Sequence, residues 1–175
     1  YRPEKSVWNL YLLAQLPREM ALTFWLRINE KKHLFAGEDY FLSILGLDAL
    51  PGLLLAFSHR PKETFPLILN FGATELALPV AHVWRRFAAQ RDLARQWILQ
   101  WPEHTASALI PLVFTKPSDN SEAALLALLL LYEQGHGELL QTVANRWQRT
   151  DVWSALEQLL KQGPMDIYPA RIPKA

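Results

Sequence analysis

The chain has 175 residues, half of them hydrophobic, with 18 lysines and arginines against 17 aspartates and glutamates and no cysteine. A chain of this length and apolar content can bury a continuous core, which excludes a largely disordered protein. The near-balance of charge removes the general argument for a nucleic-acid binder that neutralises phosphates, and the lack of cysteine excludes disulfides and thiolate zinc sites.

Helical periodicity extends along the chain, and no long run of alternating β-branched residues predicts a strand. The pattern predicts helices near residues 7–15, 18–30, 39–46, 49–58, 62–70, 76–89, 91–101, 103–114, 120–133, 138–148 and 151–161. Short connections make consecutive helices pack antiparallel. The predicted fold is therefore all-α, an α-solenoid of stacked antiparallel helix pairs of the HEAT or armadillo type.

The predicted organisation is one helical-repeat domain over residues 1–162, followed by an extended tail at 163–175. Because the chain begins at Tyr1 rather than Met, we expect it to be a fragment of a longer polypeptide. Prolines recur at 51, 79 and 111, at spacings close to the length of a helix pair. The longest apolar run, 123–132, has about half of the roughly 20 residues needed to cross a bilayer, and it predicts a helix buried between layers.

Local signals mark several helix ends and core positions. Pro17 and Pro102 each precede a helical pattern, and Asp119 with Glu122 resembles a capping box. Gly135 and Gly137 suit a turn between helices. Seven tryptophans are present, and four of them occupy helical core spacings, which predicts packing rather than a ligand cage: Trp97, Trp101, Trp147 and Trp153.

The chain carries no recognisable catalytic signature. The five histidines, none of which pairs with another at the i, i+4 spacing of helix-borne metal ligands, are His33, His59, His82, His104 and His136. The adjacent carboxylates Glu38 and Asp39 precede an apolar run, where anions favour a helix N-terminus. No GxSxG, Walker or GxGxxG motif is present. We therefore predict no catalytic site, no metal site and no cofactor.

The most suggestive polar cluster surrounds Trp84. Four arginines are the candidate partner-binding residues: Arg85, Arg86, Arg91 and Arg95. Arginines beside an aromatic ring could grip phosphate and stack a base, or meet an acidic protein surface. The competing interpretation, which we favour, buries Trp84 in the core and leaves the arginines in water or paired with Asp92 and carboxylates of the next repeat.

Two stretches carry a family resemblance: LLLAFSHRP at 53–61 and WRRFAAQRDL at 84–93. In these two stretches, and in its overall residue pattern along the whole chain, the sequence resembles the molybdate metabolism regulator (MolR) family of large enterobacterial proteins. The resemblance implies a long cytoplasmic regulator. Some members carry a WGR domain associated with nucleic-acid-linked proteins, but no Trp-Gly-Arg tripeptide occurs here, and the family name implies no molybdate ligand.

These observations favour a non-catalytic interaction scaffold within a larger cytoplasmic regulator. Its expected partners are another protein or other domains of the same polypeptide, and not a membrane. The first alternative is a nucleic-acid-binding regulatory module that uses the four arginines. The second is part of an enzyme whose site is assembled from distant residues or lies largely outside this segment.

Overall fold

The fold is all-helical, as predicted. A computed structural model describes residues 10–30, 37–147 and 150–162, and these residues form helices and no strand. The helices are α1 Leu10–Leu13, α2 Arg18–Asn29, α3 Glu38–Leu45, α4 Leu50–His59, α5 Pro61–Ile68, α6 Thr74–Arg86, α7 Arg91–Gln100, α8 Pro102–Val113, α9 Asp119–Glu133, α10 Gly137–Asn145 and α11 Thr150–Lys161. Short 3-10 turns lie at Gly46–Ala49 and Ala88–Gln90.

The predicted helix bounds differ from the observed ones by no more than three residues at either end. Proline explains part of this accuracy, since α2 begins directly after Pro17 and α8 begins at Pro102. Gly135 adopts a left-handed conformation with φ of 88° between α9 and α10, as the turn prediction requires. The predicted tail at 163–175 and His33 lie outside the described residues.

The chain divides into two compact units, Tyr1–Phe71 and Gly72–Ala175. In the first unit, α2 packs against α4, α4 against α5, and α1 against α3. Its core centres on Trp25, whose ring lies 5.0 Å from that of Phe41 and whose indole nitrogen donates a 2.8 Å hydrogen bond to the carbonyl oxygen of Ala49. Gly52 lies directly against this indole.

One stretch of the first unit, Glu38–His59, has the length and the mean hydropathy, 1.8, of a helix that could cross a membrane. The 3-10 turn Gly46–Ala49 divides it into α3 and α4, and half of the most apolar window is buried inside the fold. Buried core helices satisfy the same criterion. Packing in the first unit therefore accounts for the buried half of this window.

The second unit is built from α6 to α11. Contacts join α6 to α7, α8 and α9, while α8 also contacts α9 and α10, and α11 contacts α9 and α10. α9 contacts all five other helices of the unit, and most of its residues are buried. The prediction that this apolar helix lies among several neighbours is confirmed.

The N-terminus of α9 differs from its prediction by one residue. Ser118, not Asp119, is the N-cap: the Ser121 amide donates to the Ser118 hydroxyl at 3.2 Å, and the Ser118 amide donates to the Ser121 hydroxyl at 2.8 Å. A reciprocal pair of serines thus replaces the expected Asp119 and Glu122 pair. Both carboxylates are consequently available for contacts with other helices.

We expect Ser118→Ala to lower the free energy of unfolding by about 1 kcal/mol, because it removes an acceptor from the first turn of α9. Urea titration followed by circular dichroism measures the change. Ser118→Asp is the matched control, since aspartate is an equally good N-cap, and it should retain most of the stability. An equal loss in both variants would contradict the cap assignment.

Two apolar side chains near the ends of the predicted helices at 76–89 and 138–148 are exposed. α6 ends at Arg86, so Phe87 leaves the helical stripe and is 46 % exposed. Trp147 follows the end of α10 and is 40 % exposed, whereas Trp97 is fully buried. Both predicted helices extend past the residues where α6 and α10 end, so Phe87 and Trp147 lie outside these helices, and the prediction that Trp147 packs in the core is wrong.

Candidate interaction surfaces

Two of the four candidate arginines pair with the N-terminus of α9. Arg85 pairs with both Asp119 and Glu122, one guanidinium nitrogen to each carboxylate, and Arg86 lies 2.5 Å from Asp119. We call these four residues and His82 the α6–α9 clasp. Its carboxylates come from a later helix, as the competing interpretation of the arginines allowed.

The clasp follows from helix geometry. Asp119 is the first residue of α9 and Glu122 lies in its first turn, where the helix dipole favours negative charge. Arg85 and Arg86 occupy the last turn of α6, where positive charge is favoured. Because α6 packs on α9, the two favourable ends meet, and two carboxylates balance two guanidinium groups.

His82 completes the clasp one turn before Arg85 and Arg86. Its Nε2 lies 2.8 Å from the side-chain oxygen of Asn120, a hydrogen-bond distance. Its Nδ1 lies 3.2 Å from a carboxylate oxygen of Asp119, close enough for an ion pair when the ring is protonated, although the alignment is poor for a hydrogen bond. His82 therefore belongs to the join between two helices.

Partial desolvation opposes ionisation of Asp119, but hydrogen bonds from Arg86 and Arg85 outweigh it and lower the pKa of this carboxyl below its ordinary value of 3.8. A lowered pKa in the folded state adds stability that is present above pH 3.8 and is lost as the pH falls below it. We expect the wild type to lose more stability between pH 5 and pH 3 than Asp119→Asn, as measured by urea unfolding.

High salt provides a control for this prediction, because the Asp119 side chain is 39 % exposed and its ion pairs are therefore screened. In concentrated sodium chloride the wild type and Asp119→Asn should approach the same acid sensitivity. A wild type and variant that lose equal stability in low salt would contradict the role assigned to Asp119.

The other two candidate arginines also have contacts within the chain. The guanidinium of Arg91 lies 5.8 Å from the centre of the Trp84 ring, and its Nε donates a 3.2 Å hydrogen bond to the Trp84 carbonyl. Arg95 donates a 2.8 Å hydrogen bond to the side chain of Gln134. Trp84 is half-buried rather than fully enclosed. The four arginines thus support the packing of α6, α7 and α9, and their partner-binding role stays a prediction.

The sequence pattern did not predict a buried polar network that the structure shows in the first unit. The Arg60 side chain, 8 % exposed, lies 3.1 Å from a carboxylate oxygen of Glu38 and donates to the side-chain oxygen of Asn29, also at 3.1 Å. Nδ1 of His59 lies 3.1 Å from the Asn29 carbonyl oxygen. Glu38 is at the start of α3, as predicted, but no local signal indicates that Arg60 reaches it.

Burial raises the pKa of Glu38 above its ordinary value of 4.5, although Arg60 pulls it down by its charge and its hydrogen bond. The network of Asn29, Glu38 and Arg60 joins the end of α2, the start of α3 and the residue before α5. These contacts give the network a structural role in the first unit.

The described surface carries shallow grooves. In the second unit a groove of about 280 Å³ lies among residues of α8, α11 and the segments after α8 and α10: Ile110, Pro111, Phe114, Trp147 and Val152. Grooves of about 270 and 210 Å³ lie in the first unit. Among the described residues no group of histidines and carboxylates could hold a metal ion.

A patch of apolar side chains covers part of α1 and α3. The Tyr11 and Tyr40 rings lie 5.0 Å apart, and Ile44 follows Tyr40 by one helical turn on α3. Each of the three is more than 40 % exposed. We call Tyr11, Tyr40 and Ile44 the α3 patch; Leu12 and Leu47, both more than 60 % exposed, lie close to it in sequence.

Comparison with known proteins gives one strong relative. Over all 175 residues the chain is 99 % identical to a protein of Escherichia coli (strain K12) described as "Uncharacterized protein YehI", and it spans 14 % of that protein's length. No protein-family model and no solved structure matches the chain. The similarity therefore relates this chain to a polypeptide about seven times as long.

Proposed function

We propose that this chain is a non-catalytic helical scaffold of the HEAT or armadillo type within a large cytoplasmic regulator, where it binds another protein or another part of the same polypeptide. The resemblance to the molybdate metabolism regulator family supports the regulatory context. The chain spans 14 % of the length of its long relative, which supports the proposal that it is one segment of a longer polypeptide.

The packing pattern of the second unit carries this proposal. The helices α6, α8 and α10 contact one another in sequence order, and so do α7, α9 and α11. Contacts also join α6 to α7, α8 to α9 and α10 to α11. Three helix pairs whose alternate helices form two rows support the proposal of an α-solenoid, in which each repeat packs against its neighbours.

The chemistry of the described surface supports binding rather than catalysis. The groove at Phe114 and Trp147 is lined by apolar side chains and offers no paired nucleophile and base. Among the described residues, the one strongly buried ion pair, Arg60 with Glu38, links helices of the first unit. In the clasp, the charges of Arg85 and Arg86 are balanced by two carboxylates, which weakens their attraction for phosphate.

Affinity purification of the full-length protein from its host, with and without nuclease, tests the proposal. We expect protein partners that survive nuclease treatment. Leu128→Asp should release them, because a buried unpaired charge at this fully enclosed position of α9 disrupts the stack. Gln141→Glu, an exposed change on α10, is the matched control and should retain them.

Two results would contradict the scaffold. Partners that remain bound to Leu128→Asp, in a full-length protein shown by proteolysis to have lost the stack, would place binding elsewhere in the polypeptide. Recovery that disappears with nuclease and falls steeply with salt would instead support the nucleic-acid alternative.

A further inference from the structure

The exposed apolar side chains are concentrated in one part of the chain. Among the described residues eleven large hydrophobic side chains are exposed, and eight of them lie in the first unit: Tyr11, Leu12, Met20, Phe24, Leu26, Tyr40, Ile44 and Leu47. Single exposed apolar residues are ordinary on protein surfaces. A cluster of two neighbouring tyrosine rings, one on α1 and one on α3, with an aliphatic side chain one turn further along α3, is typical of an interaction surface.

The final helix pair of the second unit provides the contrast. α10 buries Leu140, Val143 and Ala144 and exposes only polar side chains, at Glu138, Gln141, Thr142 and Asn145. None of these four exposed side chains is apolar, so this surface favours water over an apolar helix face. The apolar α3 patch and the polar face of α10 therefore differ in what they can bind.

The chemistry of the α3 patch fits a helix. Tyr40 and Ile44, four residues apart, form a ridge along α3 against which a second helix can pack with its apolar stripe. Tyr40 combines an apolar ring with a hydroxyl group that can hydrogen-bond at the edge of such a contact. The required partner is an amphipathic helix rather than a nucleic acid or a small anion.

We infer that the α3 patch binds an amphipathic helix from another part of the same long polypeptide. The 99 % identical relative has about six-sevenths of its length outside the region that matches this chain, so a tethered partner is available at high effective concentration. This inference rests on the proposed scaffold function and specifies one of its binding surfaces.

Site-specific photo-crosslinking in the full-length protein tests it. A photoreactive benzoylphenylalanine at position 40 replaces Tyr40 with another aromatic side chain, and the same group at position 141 on α10 is the matched control. We expect a cross-link from position 40 to a peptide of the same polypeptide outside these 175 residues, in a product of monomer size. The yield at position 141 should be much lower.

Four outcomes would overturn the inference: a product of dimer size, which indicates a second copy; a cross-link to a different protein; a cross-link to residues within this chain; or no yield above the control. The first two would leave the scaffold function standing, because the surface would still bind a protein. Failure of the scaffold itself is detected separately, by the Leu128→Asp purification.

Discussion

Arg60→Met should lower the free energy of unfolding of the first unit by about 3–5 kcal/mol, the loss expected when one partner of a buried ion pair is removed. The side chains of Arg60 and Glu38 are 8 % and 14 % exposed, so Glu38 would keep its charge in a poorly solvated site. Asn29 would also lose the donor to its side-chain oxygen. Urea unfolding of wild type and variant at pH 7 measures the effect.

Arg18→Met is the matched control. Arg18 pairs with Asp48 at 2.5 Å, but both side chains are more than half exposed. Surface ion pairs contribute about 0–1 kcal/mol, so this variant should stay close to the wild type. A loss at Arg60 no larger than the loss at Arg18 would contradict the role of the buried network.

The pH dependence of the Arg60→Met loss follows from Glu38. Burial already raises the pKa of Glu38 while Arg60 lowers it, and without Arg60 the pKa rises further. A raised pKa in the folded state contributes stability that is present below the ordinary value of 4.5 and is lost as the pH rises through the folded value. The loss caused by Arg60→Met should therefore be larger at pH 7 than at pH 4.

The second large effect concerns Trp25. Trp25→Ala should lower the free energy of unfolding by about 3–5 kcal/mol, the range measured when a large aromatic side chain is removed from a core. Trp25 is 1 % exposed, contacts Phe41 and donates to the Ala49 carbonyl oxygen, so its removal leaves a cavity and removes a buried hydrogen bond. Chemical unfolding followed by circular dichroism measures the loss.

The effect of Gly52→Ala on stability should change sign when Trp25 is removed. A Cβ atom at Gly52 would lie 2.4 Å from the Trp25 ring, so Gly52→Ala should destabilise the wild type. In the Trp25→Ala background the three atoms nearest to this Cβ are gone, and the same change should stabilise α4 by up to about 1 kcal/mol, because alanine favours a helix over glycine. A double-mutant cycle that shows equal effects in both backgrounds would contradict the assigned contact.

Much of the helical structure could be predicted from local sequence. Apolar periodicity identified each helix, and prolines such as Pro17 and Pro102 marked helix starts. The apolar run in α9 correctly predicted a helix with several neighbours. These properties depend on residues within one or two turns of each other, which is why a linear pattern contains them.

Local patterns were less reliable at helix ends. The α9 cap was predicted one residue late, because Ser118 and Asp119 are both good N-caps and only the backbone geometry distinguishes them. Phe87 and Trp147 continued an apolar stripe but lie beyond the ends of α6 and α10. The periodicity predicts which face is apolar and does not determine where the helix stops.

By itself the sequence determined the all-α class, the order of the helices and which face of each is apolar. Only the tertiary structure decided the contacts that define the candidate surfaces. Arg60 meets Glu38 across 22 positions, and Arg85 meets Asp119 across 34. Such pairings depend on how whole helices pack, and many carboxylates could have satisfied either arginine equally well by residue type alone. The α3 patch could not be predicted from the sequence for the same reason. An apolar helix face has the same sequence pattern whether or not a neighbouring helix covers it.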